Sequence, residues 1–156
     1  MKRWLALAVA VSLASVVGCS HTPAKPSPAT ASITVAADVN PDSTGRPSPI
    51  LIRLYELKDQ GNFDQSDYFA LVDKESDTLG ATLVAPHEEY QMQPGEKKSL
   101  EIKIPAEAHF IGVTAGYRDL PNSKWRSFTP VTGGAIFKVK LSIDVGRAAV
   151  NVRVEK

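Results

Sequence analysis

Period-two alternation of apolar and polar side chains recurs through this chain and leaves little room for any fold but a sheet. Phe137, Val139, Leu141, Ile143 and Val145 alternate with Lys138, Lys140, Ser142 and Asp144. Successive side chains of a strand point to opposite faces, so one side of this run is apolar and the other polar. Gly146-Arg147 then turns the chain into residues 148–154, where Val150, Val152 and Val154 repeat the pattern inward, predicting a hairpin. Leu100, Ile102 and Ile104 alternate with Glu101 and Lys103. Residues 110–117 set Ile111, Val113, Ala115 and Tyr117 against Phe110, Gly112, Thr114 and Gly116. Residues 32–39 place Ile33, Val35, Ala37 and Val39 on one face. Shorter strands are predicted over 89–92 and 125–128.

One run departs from the rule. Over residues 50–57, Ile50, Ile52 and Leu54 share a face, and Leu51, Tyr55 and Leu57 share the other with Arg53. A strand apolar on both faces is covered on both sides. A switch to helical spacing follows at once: Tyr68 and Val72 lie four apart and Phe69 and Val72 three apart, with Ser66 or Asp64 as the N-cap. A second short helix is predicted around residues 76–80. The expected architecture is mainly β: two antiparallel sheets packed face to face as a sandwich, with a short helical insertion after the second strand.

The chain opens differently. Lys2 and Arg3 precede an uncharged apolar run over residues 4–17, which ends at Gly18 and the sole cysteine, Cys19. The run falls short of the ~20 apolar residues of a membrane-spanning helix and reads as an export signal. Val16-Val17-Gly18-Cys19 resembles the bacterial lipobox. The resemblance implies cleavage between Gly18 and Cys19, a thioether-linked diacylglycerol on Cys19 and a third acyl chain on the new amino terminus. The alternative is an ordinary small residue beside a conventional cleavage site. Two or more acyl chains hold a protein stably on a bilayer, where one does not. An aspartate after the cysteine would resemble an inner-membrane retention signal; Ser20 stands there instead, so the expected location is the periplasmic face of the outer membrane. Residues 20–31 hold Pro23, Pro26 and Pro28 and no large apolar side chain, and read as a tether reaching about 35 Å at ~3.1 Å per residue. The expected divisions are therefore signal peptide 1–18, lipidated tether 19–31 and β-sandwich 32–156.

Charge excludes some partners. The formal net charge is +1, and loss of Lys2 and Arg3 takes it to about −1. No basic block points to nucleic acid. His21, His87 and His109 have no metal-ligand spacing, and no nucleophile elbow or phosphate loop occurs. Asp42, Asp64 and Asp67 with Glu56 suit loop and cap roles better than acid–base chemistry. No catalytic residue, no metal site and no cofactor beyond the covalent lipid on Cys19 is expected.

Recognition segments are better supported. Asn40-Pro41-Asp42-Ser43-Thr44-Gly45-Arg46-Pro47, continued by Ser48-Pro49, joins two strands with far more chain than a tight turn requires. Long loops on a rigid sandwich often carry binding, and prolines lower the ordering cost of docking; an ordinary solvated loop is the alternative. Arg118, Asp119, Trp125 and Arg126 flank a second loop and offer a secondary contact, since Trp and Arg anchor many interfaces. The alternative there is that Trp125 packs on Tyr117 and Arg118 pairs with Asp119.

The order of motifs also carries a resemblance. After the lipobox come Asn40-Pro41 and a loop rich in Gly and Pro, then Pro49-Ile50-Leu51-Ile52-Arg53-Leu54-Tyr55-Glu56-Leu57-Lys58. Phe63, Asp67-Tyr68-Phe69-Ala70-Leu71 and Leu79-Gly80 follow. Pro94-Gly95, Gly112-Val113-Thr114-Ala115-Gly116-Tyr117-Arg118-Asp119 and Trp125-Arg126 complete the series. This resembles the TssJ (SciN-like) family of outer-membrane lipoproteins of bacterial type VI secretion systems. The resemblance implies a transthyretin-like β-sandwich with an added helical segment. It also implies a role as outer-membrane anchor of the envelope-spanning complex. The partner would be the periplasmic C-terminal region of the inner-membrane protein TssM, and through it TssL. In the family the loop between the first two strands is linked to TssM binding; here that is residues 40–49, with Asp42, Thr44 and Arg46 as mid-loop polar candidates. The competing reading is a lipoprotein that carries a small ligand or assists envelope assembly.

Overall fold

The computed structural model describes residues 24–132, 134 and 138–155. In chain order its elements are β1 (Ser27–Val35), β2 (Ile50–Leu57), α1 (Gly61–Gln65), α2 (Tyr68–Asp73), α3 (Glu75–Leu79), β3 (Glu88–Met92), β4 (Lys97–Ile104), β5 (Phe110–Ala115), β6 (Arg126–Pro130), β7 (Val139–Val145) and β8 (Val150–Val154). The strands form two four-stranded sheets, ordered β4-β1-β7-β8 and β3-β2-β5-β6. This is the expected sandwich with its helical insertion after β2.

Two features of the first strand differ from expectation. It begins at Ser27, so residues 27–31 belong to the sheet and not to the tether. Composition misleads here because Ala29 and Ala31 are small, yet both are fully buried. Backbone pairing on both sides, to β4 and to β7, supplies what large side chains do not. Pro28 is tolerated because it stands next to the strand's start. The strand also ends at Val35; Ala37 is exposed while Val39 folds back into the core. Second, β1 runs parallel to β7, so the first sheet is mixed and not wholly antiparallel. A parallel neighbour needs a long crossover, and the whole second sheet provides one. At the other end of the chain Val154 is exposed, contrary to its predicted inward face.

The inner faces form one apolar cluster, with Ile33, Ile52, Val113, Leu141 and Ile143 at its centre. The outer face of β2 carries a second cluster, as its two-sided pattern requires: Tyr55 and Leu57 pack with Phe63, Leu71 and Leu79 of the insertion. The N-cap of α2 is Asp67, accepting from Ala70 N, in place of Ser66 or Asp64. Two glycines of the β5 segment make room for the aromatics. A β-carbon at Gly112 would lie 2.8 Å from Phe63 Cζ, and one at Gly116 2.8 Å from the Tyr68 hydroxyl. These two outward-facing positions thus lack side chains, so that the insertion's rings can sit close to the sheet.

Candidate functional site

The four odd-to-even strand connections lie at one end of the sandwich, and backbone bonds tie their loops together. Gly95 N of the β3–β4 turn donates to Ala36 O, and Asn40 N donates to Arg147 O of the β7–β8 turn. The chain enters at the opposite end, where Ser27 pairs with Ile104 at the close of β4 and Ala29 with Val139 at the start of β7. Nine strand residues at about 3.3 Å each separate that entry from the loop end by about 30 Å.

Asn40 is the keystone of the loop end. Its φ of 49° places it in the left-handed region, which Asn tolerates better than most residues. Buried there, its Nδ2 donates to Pro49 O at 2.8 Å and its Oδ1 accepts from Arg118 N at 2.8 Å. One side chain thus closes the base of the β1–β2 loop and fastens it to the β5–β6 loop.

The exposed tip is organised by Asp42. Its Oδ1 accepts from Thr44 N at 2.8 Å, Thr44 Oγ1 at 2.7 Å and Arg46 N at 3.0 Å. Its Oδ2 accepts from Arg46 Nε at 2.9 Å. The Thr44 hydroxyl, followed by the Arg46 amide, holds its carboxyl down at about 2. Gly45, at φ 83°, closes the turn with Gly45 N donating to Asp42 O. Thr44 and Arg46 therefore both bond Asp42, while Ser43 and Pro47 stand exposed beside them.

A cleft of about 660 Å³ opens where three loops meet, lined by residues 40–43, by 117–119 with Ser123, and by 147–148. Asn40, Pro41, Asp42, Ser43, Arg118 and Asp119 come together in it. Trp125 and Arg126 do not. Trp125 stacks edge-on against Tyr68 at 5.3 Å, with the Arg126 guanidinium 4.8 Å from its ring. Arg126 also donates to Phe63 O and Ser66 O. These two residues fasten the helical insertion to the sheet. Nor do Arg118 and Asp119 pair: both Asp119 oxygens accept from Asn122 Nδ2, at 2.9 and 3.0 Å. Tyr117, whose hydroxyl donates to Gly146 O at 3.0 Å, belongs to this end as well, and so does Arg147, which went unremarked as a site residue in the sequence. Strand parity was the available signal: every odd-to-even connection of a sandwich shares an end, so Gly146-Arg147 had to face the β1–β2 loop.

Gly18 and Cys19 lie outside the described residues, as does Phe137. Among the described residues no helix is long and apolar enough to cross a membrane, and no group of three His, Cys, Asp or Glu side chains is placed to hold a metal.

Residues 27–148 match the family T6SS-SciN, described as type VI secretion lipoprotein, VasD, EvfM, TssJ. Among solved structures, the T6SS lipoprotein TssJ1 from Pseudomonas aeruginosa is 32% identical over 84% of this chain and 98% of its own, with a TM-score of 0.78. Serratia marcescens Lip, a membrane-bound component of the type VI secretion system, is 26% identical over 84% and 97%, with a TM-score of 0.72. A chain in the structure described as the T6SS protein TssM C-terminal domain from EAEC shares the fold at 22% identity, over 83% and 98%, with a TM-score of 0.64. Comparison with curated proteins gave no match.

Proposed function

Because the chain belongs to the TssJ family of type VI secretion lipoproteins, we propose that it anchors the secretion machine's envelope complex at the outer membrane by binding the periplasmic C-terminal region of TssM. TssL joins through TssM. Acyl chains on Cys19 fix the protein to the periplasmic face of the bilayer, and residues 20–26 serve as the tether.

The observation that carries this reading is polarity. The chain enters the sandwich at one end and its recognition loops converge at the other. A lipid at the entry end leaves the loops pointing into the periplasm, about 30 Å further from the bilayer. The role is mechanical, with no turnover and no cofactor beyond the lipid. A ligand carrier would need an apolar pocket between the sheets; that space is filled by Ile33, Ile52, Val113 and Ile143, each at most 1% exposed.

The test uses the full-length protein made in a Gram-negative host, labelled with palmitate and fractionated. Wild type takes the label, sediments with outer membrane and captures the TssM periplasmic region; Cys19→Ser loses label and membrane but still captures it. Wild type without label, or label without TssM capture, overturns the corresponding half of the proposal.

A further inference from the structure

We infer that Arg118 is the cationic anchor of the loop end and receives an acidic side chain, Asp or Glu, from the docked partner. This deepens the partner reading above and rests on it.

Three observations carry the inference. The Arg118 backbone is fixed in place, because its N–H donates to the buried Asn40 side chain, itself tied to Pro49 O. The guanidinium is nevertheless uncommitted: its residue is exposed, and the side chain makes no hydrogen bond or ion pair with any described residue. The neighbouring charges are already engaged. Asp42 is held by Thr44 and Arg46, Asp119 by Asn122, and Arg147 lies 3.8 Å from Asp38. Arg118 is thus a positioned cation beside a cleft whose own carboxylates face other partners.

Concavity strengthens the case. Arg118 lines the 660 Å³ cleft and also a second hollow of about 410 Å³, walled by Pro49, Ile50, Leu51 and Gln91. A docked segment that fills either hollow strips water from the guanidinium. A charge-assisted, two-pronged bond to a carboxylate is then worth far more than a surface pair. Arg in such settings is a common hot spot. With a formal net charge of +1 and no basic stripe, the chain lacks the repeated phosphate contacts that nucleic acid requires. A single acidic side chain of a protein partner is what one fixed guanidinium fits.

The experiment titrates the acylated full-length protein in detergent with the TssM periplasmic region at low and high salt. The variants are Arg118→Ala, Arg118→Lys and Arg118→Glu, with Lys103→Glu on the exposed face of β4 as a charge control. Arg118→Ala is expected to weaken binding ~30-fold and Arg118→Glu further. Arg118→Lys should fall between, and Lys103→Glu should match wild type. All keep the wild-type circular dichroism, since the Asn40 bond uses only the backbone of residue 118. One Asp→Lys or Glu→Lys change in TssM is expected to restore binding to Arg118→Glu. Binding of Arg118→Glu within twofold of a binding wild type overturns the anchor and leaves the partner reading standing, and failure of every acidic position to rescue overturns the carboxylate. Absence of binding by wild type defeats the partner reading, and the anchor with it.

Discussion

Two segments interrupt the regular strands of this sandwich, and they are held by opposite means. The insertion over residues 58–87 is fastened by apolar burial. Phe63, Leu71 and Leu79 are at most 1% exposed against the outer face of β2 and β5, and Gly112 and Gly116 admit the rings. The loop over residues 36–49 has little to bury beyond Val39 and is held by hydrogen bonds centred on Asn40 and Asp42. A segment stabilised by burial turns most of its large apolar side chains inward, and in the insertion only Phe69, at 62%, stands well exposed among the described residues. A segment stabilised by polar bonds at its base keeps its tip in water and its shape fixed, which lowers the ordering cost of docking.

The largest expected effect falls on the buried side. Phe63→Ala removes a fully buried ring whose centroid lies 5.3 Å from that of Tyr55 and 6.5 Å from that of Phe128. A cost of about 3–5 kcal/mol is expected from the lost transfer energy and the cavity. Urea unfolding reads it. TssM binding by the fraction still folded should match wild type. A binding loss with little loss of stability would break the contrast by making the insertion the recognition surface.

Asn40→Ala probes the other side. It removes two part-buried hydrogen bonds, to Pro49 O and from Arg118 N, and puts Ala at φ 49°. About 2 kcal/mol is expected from the lost bonds and the left-handed backbone together. Here stability and TssM affinity should fall together, because the same bonds seat the loop and Arg118. Asn40→Asp keeps the acceptor for Arg118 N but sets a carboxylate oxygen against Pro49 O at a buried position, so its stability should fall at least as far as that of Asn40→Ala. Its folded fraction should nevertheless retain more affinity than Asn40→Ala; equal affinity for the two variants would remove Arg118 seating from the explanation.

The same contrast governs what could be read from the chain beforehand. The insertion announced itself through the two-sided apolar pattern of residues 50–57; the helical spacing of Tyr68, Phe69 and Val72 found α2 but not its buried face, which belongs to Leu71, while Phe69 is 62% exposed. The β5 glycines were visible as a face but not as sockets for Phe63 and Tyr68, since sockets depend on which element covers the sheet. The start of β1 was hidden: Ala29 and Ala31 carry little hydropathy, and their pairing to β4 and β7 is long-range. The parallel register of β1 on β7 left no local trace either. At the loop end, length and proline content singled out residues 40–49, but the role of Asn40 depends on Arg118, far away in the chain. Trp125 and Arg126 were read together with Arg118 and Asp119 because they flank one loop and because Trp and Arg anchor many interfaces. The strand that carries Arg126 turns that pair toward the insertion.

A pair of carboxyls, one at the loop tip and one on β2 just before the insertion, gives the smallest and sharpest prediction. At the loop tip, hydrogen bonds from Thr44 and Arg46 hold Asp42 at about 2. Where the insertion returns beside β2, burial, with Glu88 and Glu107 nearby, pushes Glu56 up to about 7. The signs oppose each other. Asp42 contributes stability that is present above its ordinary value of 3.8 and lost as pH falls toward 2. Glu56 keeps a proton in the folded state that the unfolded chain releases near 4.5, so its contribution declines as pH rises from 4.5 to about 7 and is then level. Glu56→Gln should remove that decline, leaving the variant more stable than wild type at pH 8 and little different at pH 4.5. Because Glu56 is only partly buried, the gain should be smaller than either truncation above. Urea midpoints taken across this range measure it. Parallel profiles for the two proteins would mean that Glu56 is not desolvated in the folded protein, and that this end of β2 is more open to water than its packing implies.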